Sequence, residues 1–161
     1  MIEPPAVDSS SLILLARTTS LHLLKSLAPQ LVVPEAVLEE IRAKGVEDAT
    51  LQAVQASPWL SVVRVSFEPD RVGGLRLGKG EASVLAWALS HQGTLAVLDD
   101  QRARSHALSL QIPVIGTLGV VLRAKRLGMI NLARPLVESL VEKGMYLSRS
   151  VVERALALAG E

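Results

Sequence analysis

The sequence predicts an α/β fold, an open and largely parallel sheet wrapped by helices in one domain. Three observations lead there. Apolar residues make up 49% of the 161-residue chain and aromatics only 2%, so Leu, Val, Ile and Ala must fill the core. Those residues suit buried parallel strands and the helices that cover them. Short apolar runs alternate with stretches of helical periodicity from one end to the other, with no internal repeat and no low-complexity linker. The length suits a single sizeable core.

The elements follow in order. "AVDSSSLILLA" reads as a short strand running into a helix, with Ser9 to Ser11 as capping candidates, and "SLHLLKSLA" as a second short helix. "QLVVPEAVLEEIRAKG" gives a strand, a Pro at a helix start, a helix and a Gly stop. "VEDATLQAVQAS" is a further helix, "WLSVVRVS" a strand and "FEPDRVGGLRLGKG" a loop. "KGEASVLAWALSHQG" is a strong helix ending at Gly93, "TLAVLDD" a buried strand and "QRARSHALSLQ" a helix. "IPVIG" is a strand and "TLGVVLRAKRLG" a helix, and the closing helices lie in "MINLARPLVESLVEKG" and "LSRSVVERALALAG". The domain is expected to span residues 1–161, with the helices from about 131 to 161 packing onto it.

Composition excludes several classes. A net charge of +1 announces no nucleic-acid binder by bulk charge, though it leaves room for a local basic patch. The absence of cysteine removes disulfides and thiolate metal sites and fits a reducing cytoplasm. "MIEPPAVDSS" has neither the basic start nor the long apolar run of a signal peptide. The charge-free stretch from Ser105 to Leu122 contains Gln111, Pro113, Gly116 and Gly119, so it is not read as a membrane span. The mean hydropathy of +0.35 is high. With apolar closing helices such as "VVERALALAG", it predicts self-association as a homodimer or a tight protein partner.

Acidic residues carry the functional signal. In open α/β sheets, sites form beyond the carboxyl ends of the strands. Asp8 ends the first strand, and Asp99 and Asp100 end "TLAVLDD", so they share one rim if the strands are parallel. Helical phase places Glu81 on the apolar face of its helix with Leu85 and Ala88. The same count sets Glu40 at the edge of an apolar face between Ala36 and Val37, and Glu39 on the solvent side. Each acid has a plainer alternative: Asp8 or Asp99 as a helix cap, Glu81 favoured by a helix dipole, Glu40 as a solvated residue. As a set they point to a cation, since carboxylates about 4 Å apart repel by about 4 kcal/mol per pair at an effective dielectric of 20. All-oxygen ligation suits Mg²⁺ or Mn²⁺, which activates water and stabilises a phosphodiester transition state.

These residues resemble the PIN-domain family, metal-dependent ribonucleases that include the toxins of VapBC-type toxin–antitoxin pairs. The likeness lies in "VDSSSLILLAR", "VVPEAVLEEI", "LGKGEASVLAWA", "LDDQRAR" and "IPVIGTLGVVLRAKRLGMI", and covers nearly the whole chain. It implies a three-layer α/β/α sandwich. It implies Asp8, Glu40, Glu81 and Asp99 as catalytic, metal-holding acids around Mg²⁺ or Mn²⁺, spaced from 8 to 40, 40 to 81 and 81 to 99. The family often carries Asp where Glu81 stands, and a Thr or Ser before its fourth acid where this chain has Leu98 and an acid pair. Asp100 therefore joins the metal set: one of Asp99 and Asp100 binds the metal directly and the other holds a water of its shell, and the motif does not choose between them. The resemblance further implies single-stranded RNA as substrate, a protein antitoxin as partner and a cytoplasmic setting. A catalytically silent interaction module with the same fold is the alternative. A phospho-acceptor signalling domain fits poorly, because Asp8 is followed by three serines and not by a second acid.

Other features weigh less. The run from Gly73 to Lys79 matches the start of a P-loop, but Gly80 stands where a Ser or Thr would be needed. Arg17, Lys79, Arg102 and Arg104 are candidates for phosphate contact, each with solvation as the plain alternative. Thr117 is a candidate for hydrogen bonding at the site or for capping its helix. His22, His91 and His106 have no metal-ligand spacing and are read as structural.

Overall fold

The computed structural model of the chain describes residues 3–45, 49–72 and 76–161. Its centre is a five-stranded, all-parallel sheet of β1 (Ala6–Val7), β2 (Leu31–Pro34), β3 (Leu60–Val63), β4 (Ala96–Val97) and β5 (Val114–Ile115), in the order β3-β2-β1-β4-β5. The helices are α1 (Ser9–Arg17), α2 (Glu35–Ala43), α3 (Ala49–Gln55), α4 (Lys79–Ser90), α5 (Gln101–Ser109), α6 (Thr117–Arg126), α7 (Arg134–Glu142) and α8 (Arg149–Leu158). Sheet and flanking helices make the open parallel α/β fold that the sequence predicts, in the three-layer α/β/α form that the resemblance implies.

β1, β2 and β5 run into helices within one residue, and β3 into a loop. Val7 is followed by Asp8 at the N-cap of α1, and Ile115 by Gly116 at the N-cap of α6. "TLAVLDD" pairs over Ala96 and Val97 alone, with Leu98 N–H still reaching Ile115 O at 3.0 Å before Asp99 and Asp100 turn into α5. β1 is nonetheless central and wholly buried, in register with β2 (Ala6 opposite Val32) and with β4 (Ala6 opposite Ala96). β1 and β4 lie where the strand order reverses, the place at which open α/β sheets bind their ligands.

Three local readings change. "SLHLLKSLA" is a six-residue 3-10 helix, Leu21–Ser26, and the expected loop after β3 contains a 3-10 turn at Pro69–Arg71. Pro34 closes β2 and serves as the N-cap of α2; it does not occupy the first helical position. The Gly73 to Lys79 run and the start of "VEDATLQAVQAS" fall partly outside the described residues.

One core runs through the sheet and its covering helices, with Leu12, Leu15, Val33, Ile41, Leu85 and Leu98 among its members. A second cluster joins Leu14 of α1 and Val121 of α6 to Val137, Leu140, Met145 and Leu156 of the C-terminal segment. Glu161 ties that segment down, accepting hydrogen bonds from Lys125 Nζ at 2.6 Å, Ala133 N–H at 2.7 Å and Arg134 N–H at 3.1 Å. No helix among the described residues is long and apolar enough to cross a membrane.

Candidate active site

The first turn of α1 organises the acid rim. The three consecutive serines, expected as caps, fan out to three directions. Ser9 Oγ donates to Glu40 Oε2 at 3.0 Å, and Ser11 Oγ donates to Asp99 Oδ2 at 3.1 Å. Ser10 Oγ is buried without a hydrogen-bond partner and faces the groove described below. The N-cap position itself belongs to Asp8.

Each acid is held differently. Asp8 is 3% exposed, and its Oδ1 is buried with no hydrogen-bond partner. Glu40 comes from α2 and reaches across to α4, where Gly80 N–H donates to Oε1 at 2.8 Å. A Cβ at position 80 would lie 2.6 Å from Glu40 Oε2, so a side chain there would displace the Glu40 carboxylate. Glu81 stands in the first turn of α4, where Gly78 N–H donates to it at 3.3 Å. Asp99 takes Thr117 N–H on Oδ1 at 2.7 Å and Thr117 Oγ1 on Oδ2 at 2.5 Å. Asp100 caps α5 by accepting from Ala103 N–H at 3.0 Å, and is exposed. Glu39 is exposed and Glu40 half-buried, as helical phase predicts.

The acids feel one another. Burial pushes the Asp8 carboxyl up to about 7, Ser9 N–H opposes this, and the charges of Glu81, Glu40 and Asp99 push it further. Glu81 is also raised, first by burial, then by Asp100, against the Gly78 hydrogen bond, and then by Glu40. Every one of the five acids thus enters a single repulsive field.

The donor set fits a divalent cation in its chemistry. It is all carboxylate oxygen, it carries mutual repulsion that a cation would relieve, and it includes the orphaned Asp8 Oδ1. The carboxylates do not yet converge: among the described residues no three acids or histidines are grouped closely enough to hold one ion. Glu40 is drawn toward Gly80 and Ser9, and Asp99 toward Thr117 and Ser11.

Asp8, Glu40, Glu81, Asp99 and Asp100 all line one open groove of about 1010 Å³. The basic candidates separate. Arg104 lines the groove, with one guanidinium N–H donating to Leu98 O at 3.0 Å; Arg17, Lys79 and Arg102 do not line it. Arg102 instead sits with Arg76 and His106 around a second surface depression. Thr117 is fully buried and does not line the groove; its N–H and hydroxyl both donate to Asp99, while Gly116 takes the N-cap position of α6. Of the histidines, His91 stacks on Trp87 at 3.8 Å between ring centroids.

The sequence reading missed two parts of this site. Gly80 carries no side-chain signal for its grip on Glu40. Lys44, just after α2, also lines the groove, and only its position four residues after Glu40 on the helix hinted at it. A family model described as a PIN domain matches residues 5–161 of the chain. No curated protein matches it.

Proposed function

Because the chain belongs to the PIN-domain family, a nuclease fold whose members typically use divalent metal ions, we propose that it is a metal-dependent endoribonuclease acting on single-stranded RNA. In this reading it is the toxin half of a toxin–antitoxin pair, cytoplasmic and homodimeric. The observation that carries the proposal is Asp8: a buried carboxylate with an unpartnered oxygen, at the point where strand order reverses, beside three further acids.

Asp8, Glu40, Glu81 and Asp99 would hold Mg²⁺ or Mn²⁺, with Asp100 at the margin, since its cap to Ala103 occupies one of its oxygens. A bound cation supplies charge neutralisation, polarisation of the phosphate and activation of water. The chain's own residues set the geometry. Thr117 and Ser11 hold Asp99, and Gly80 and Ser9 hold Glu40, so two of the acids are oriented before any ligand arrives. Arg104, fixed by Leu98 O, offers its remaining N–H groups to a phosphate oxygen in the groove. Water adds at phosphorus and gives up a proton, the bond to the 3′ oxygen breaks, that oxygen takes up a proton to become the 3′-hydroxyl, and the 5′-phosphate stays with the downstream fragment. Single strands suit the open groove, because an unstacked backbone can bend into it.

The purified chain is expected to cut a varied pool of single-stranded RNA with Mg²⁺ or Mn²⁺ and to stop in EDTA. Asp8→Asn is expected to lower the rate by about a hundredfold or more, while Glu39→Gln leaves it unchanged. Equal cutting by wild type and Asp8→Asn would sink the nuclease reading. The silent interaction module then takes its place, a reading favoured by the failure of three acids to converge.

A further inference from the structure

The acid groove also has lining residues to which the proposed reaction gives no role. Leu118, Leu122, Leu147 and Val151 belong to its walls, and Tyr146 lines it as well. Tyr146 is the chain's only tyrosine and is 99% exposed. The remaining aromatics, Trp59, Phe67 and Trp87, all pack against the core. Tyr146 is thus the one aromatic ring that the fold leaves in water.

Its backbone is nevertheless anchored on both sides. Met145 is 7% exposed, and its N–H donates to Leu140 O at 2.9 Å. Leu147 packs against the C-terminal cluster. The segment between α7 and α8 is therefore pinned by its neighbours, and the ring is displayed from a fixed point.

From this juxtaposition we propose that Tyr146 is a base-stacking residue, which holds a nucleobase of the RNA strand whose phosphate lies at the acid rim. The inference rests on the nuclease reading and names a subsite of the same groove. One groove combines the two kinds of surface that a nucleotide needs. The acids with Arg104 suit a phosphate and its counter-ion, and the apolar side chains with a free ring suit the flat face of a base. Every base has such a face, so the contact favours single strands without choosing a sequence.

The test compares Tyr146→Ala, Tyr146→Phe and Tyr146→Trp. With Mn²⁺ and a short single-stranded RNA, Tyr146→Ala is expected to raise KM about tenfold, as the loss of one base stack does, with the change falling on KM and not on kcat. Tyr146→Phe and Tyr146→Trp should stay near wild type, since both keep a ring. On an RNA whose bases are removed around the cut, wild type and Tyr146→Ala should become equal. Anisotropy of a labelled RNA in EDTA supplies a readout without cutting: weaker binding by Tyr146→Ala supports the subsite even if the chain cleaves nothing. Absence of cleavage by wild type is the failure of the nuclease reading. Failure of this inference looks different: Tyr146→Ala matches wild type in KM and anisotropy, or Tyr146→Phe loses as much as Tyr146→Ala. A change of oligomeric state in Tyr146→Ala by light scattering would also overturn it, by making the ring a contact between proteins.

Discussion

Asp8 and Glu161 are both carboxylates taken largely out of water, and the chain treats them in opposite ways. Glu161 meets Lys125 at 2.6 Å and two backbone N–H groups at the start of α7, and its side chain is only 9% exposed. The hydrogen bond from Lys125 leads the causes that bring its carboxyl down to about 2. Asp8 is more deeply buried, has an oxygen with no partner, faces three further acids and is pushed up to about 7. The carboxylate at the C-terminal segment is given a cation and donors, while Asp8 is left with an unpartnered oxygen among further acids, and the fold bears the cost.

The largest break in this contrast comes from Asp8→Asn. Relative to an ordinary value of 3.8, a folded carboxyl at about 7 contributes stability that is fully present below pH 3.8 and lost as pH rises through 7. At the conversion for one pKa unit, the loss is at most about 4 kcal/mol. In EDTA at pH 8, Asp8→Asn should therefore melt several degrees above wild type, at about 2–4 °C per kcal/mol. The gap should close as pH is lowered through 7 toward 4. Mn²⁺ should raise the wild-type Tm and leave that of Asp8→Asn nearly unmoved; equal shifts would show that Asp8 is no ligand.

Gly80→Ala disturbs the rim more gently. The new Cβ meets the Glu40 carboxylate at 2.6 to 2.9 Å, and the flexible side chain must move away from Gly80 N–H. Alanine itself favours the helix by about 0.5–1 kcal/mol, so melting should change little. RNA cutting should fall about tenfold, the cost of misplacing one positioned group. Loss of the fold, read by circular dichroism, would mean that the contact is structural.

Glu161→Gln sharpens the other side with the smallest effect. The folded carboxyl lies at about 2 against an ordinary 4.5, so its contribution is present above pH 4.5 and lost as pH falls through 2. The variant should melt a few degrees lower at pH 7, with the difference shrinking below pH 4.5. RNA cutting per folded molecule should not change, because Glu161 does not line the acid groove.

Much of this was legible in the sequence, for particular reasons. The parallel sheet followed from alternation of apolar runs with helical stretches, and the separation of Glu40 from Glu39 followed from helical phase alone. The shared rim of Asp8 and Asp99 was legible from strand ends, but the individual contacts between distant elements were not. Nothing in "KGEASV" says that Gly80 N–H will hold an acid forty residues earlier, and nothing in "DSSS" says that adjacent serines will serve Glu40 and Asp99 separately. Thr117 was a candidate for two roles, and only the distances assign it to Asp99. Tyr146 stands in a turn between helices, where a sequence does not distinguish a displayed ring from a covered one.

The central position of β1 also decides when the protein becomes complete during synthesis. β1 leaves the ribosome first and can pair with β2 early, yet its other edge stays open until β4 arrives with Ala96. Asp99 then lacks its holder until Thr117 follows. A nascent chain thus carries its first acid long before it carries a rim, and the contacts that bridge this distance are the slow ones to form. The C-terminal segment, with Met145, Leu156 and Glu161, locks onto α1 and α6 last of all. The acid rim is therefore incomplete until most of the chain has been made.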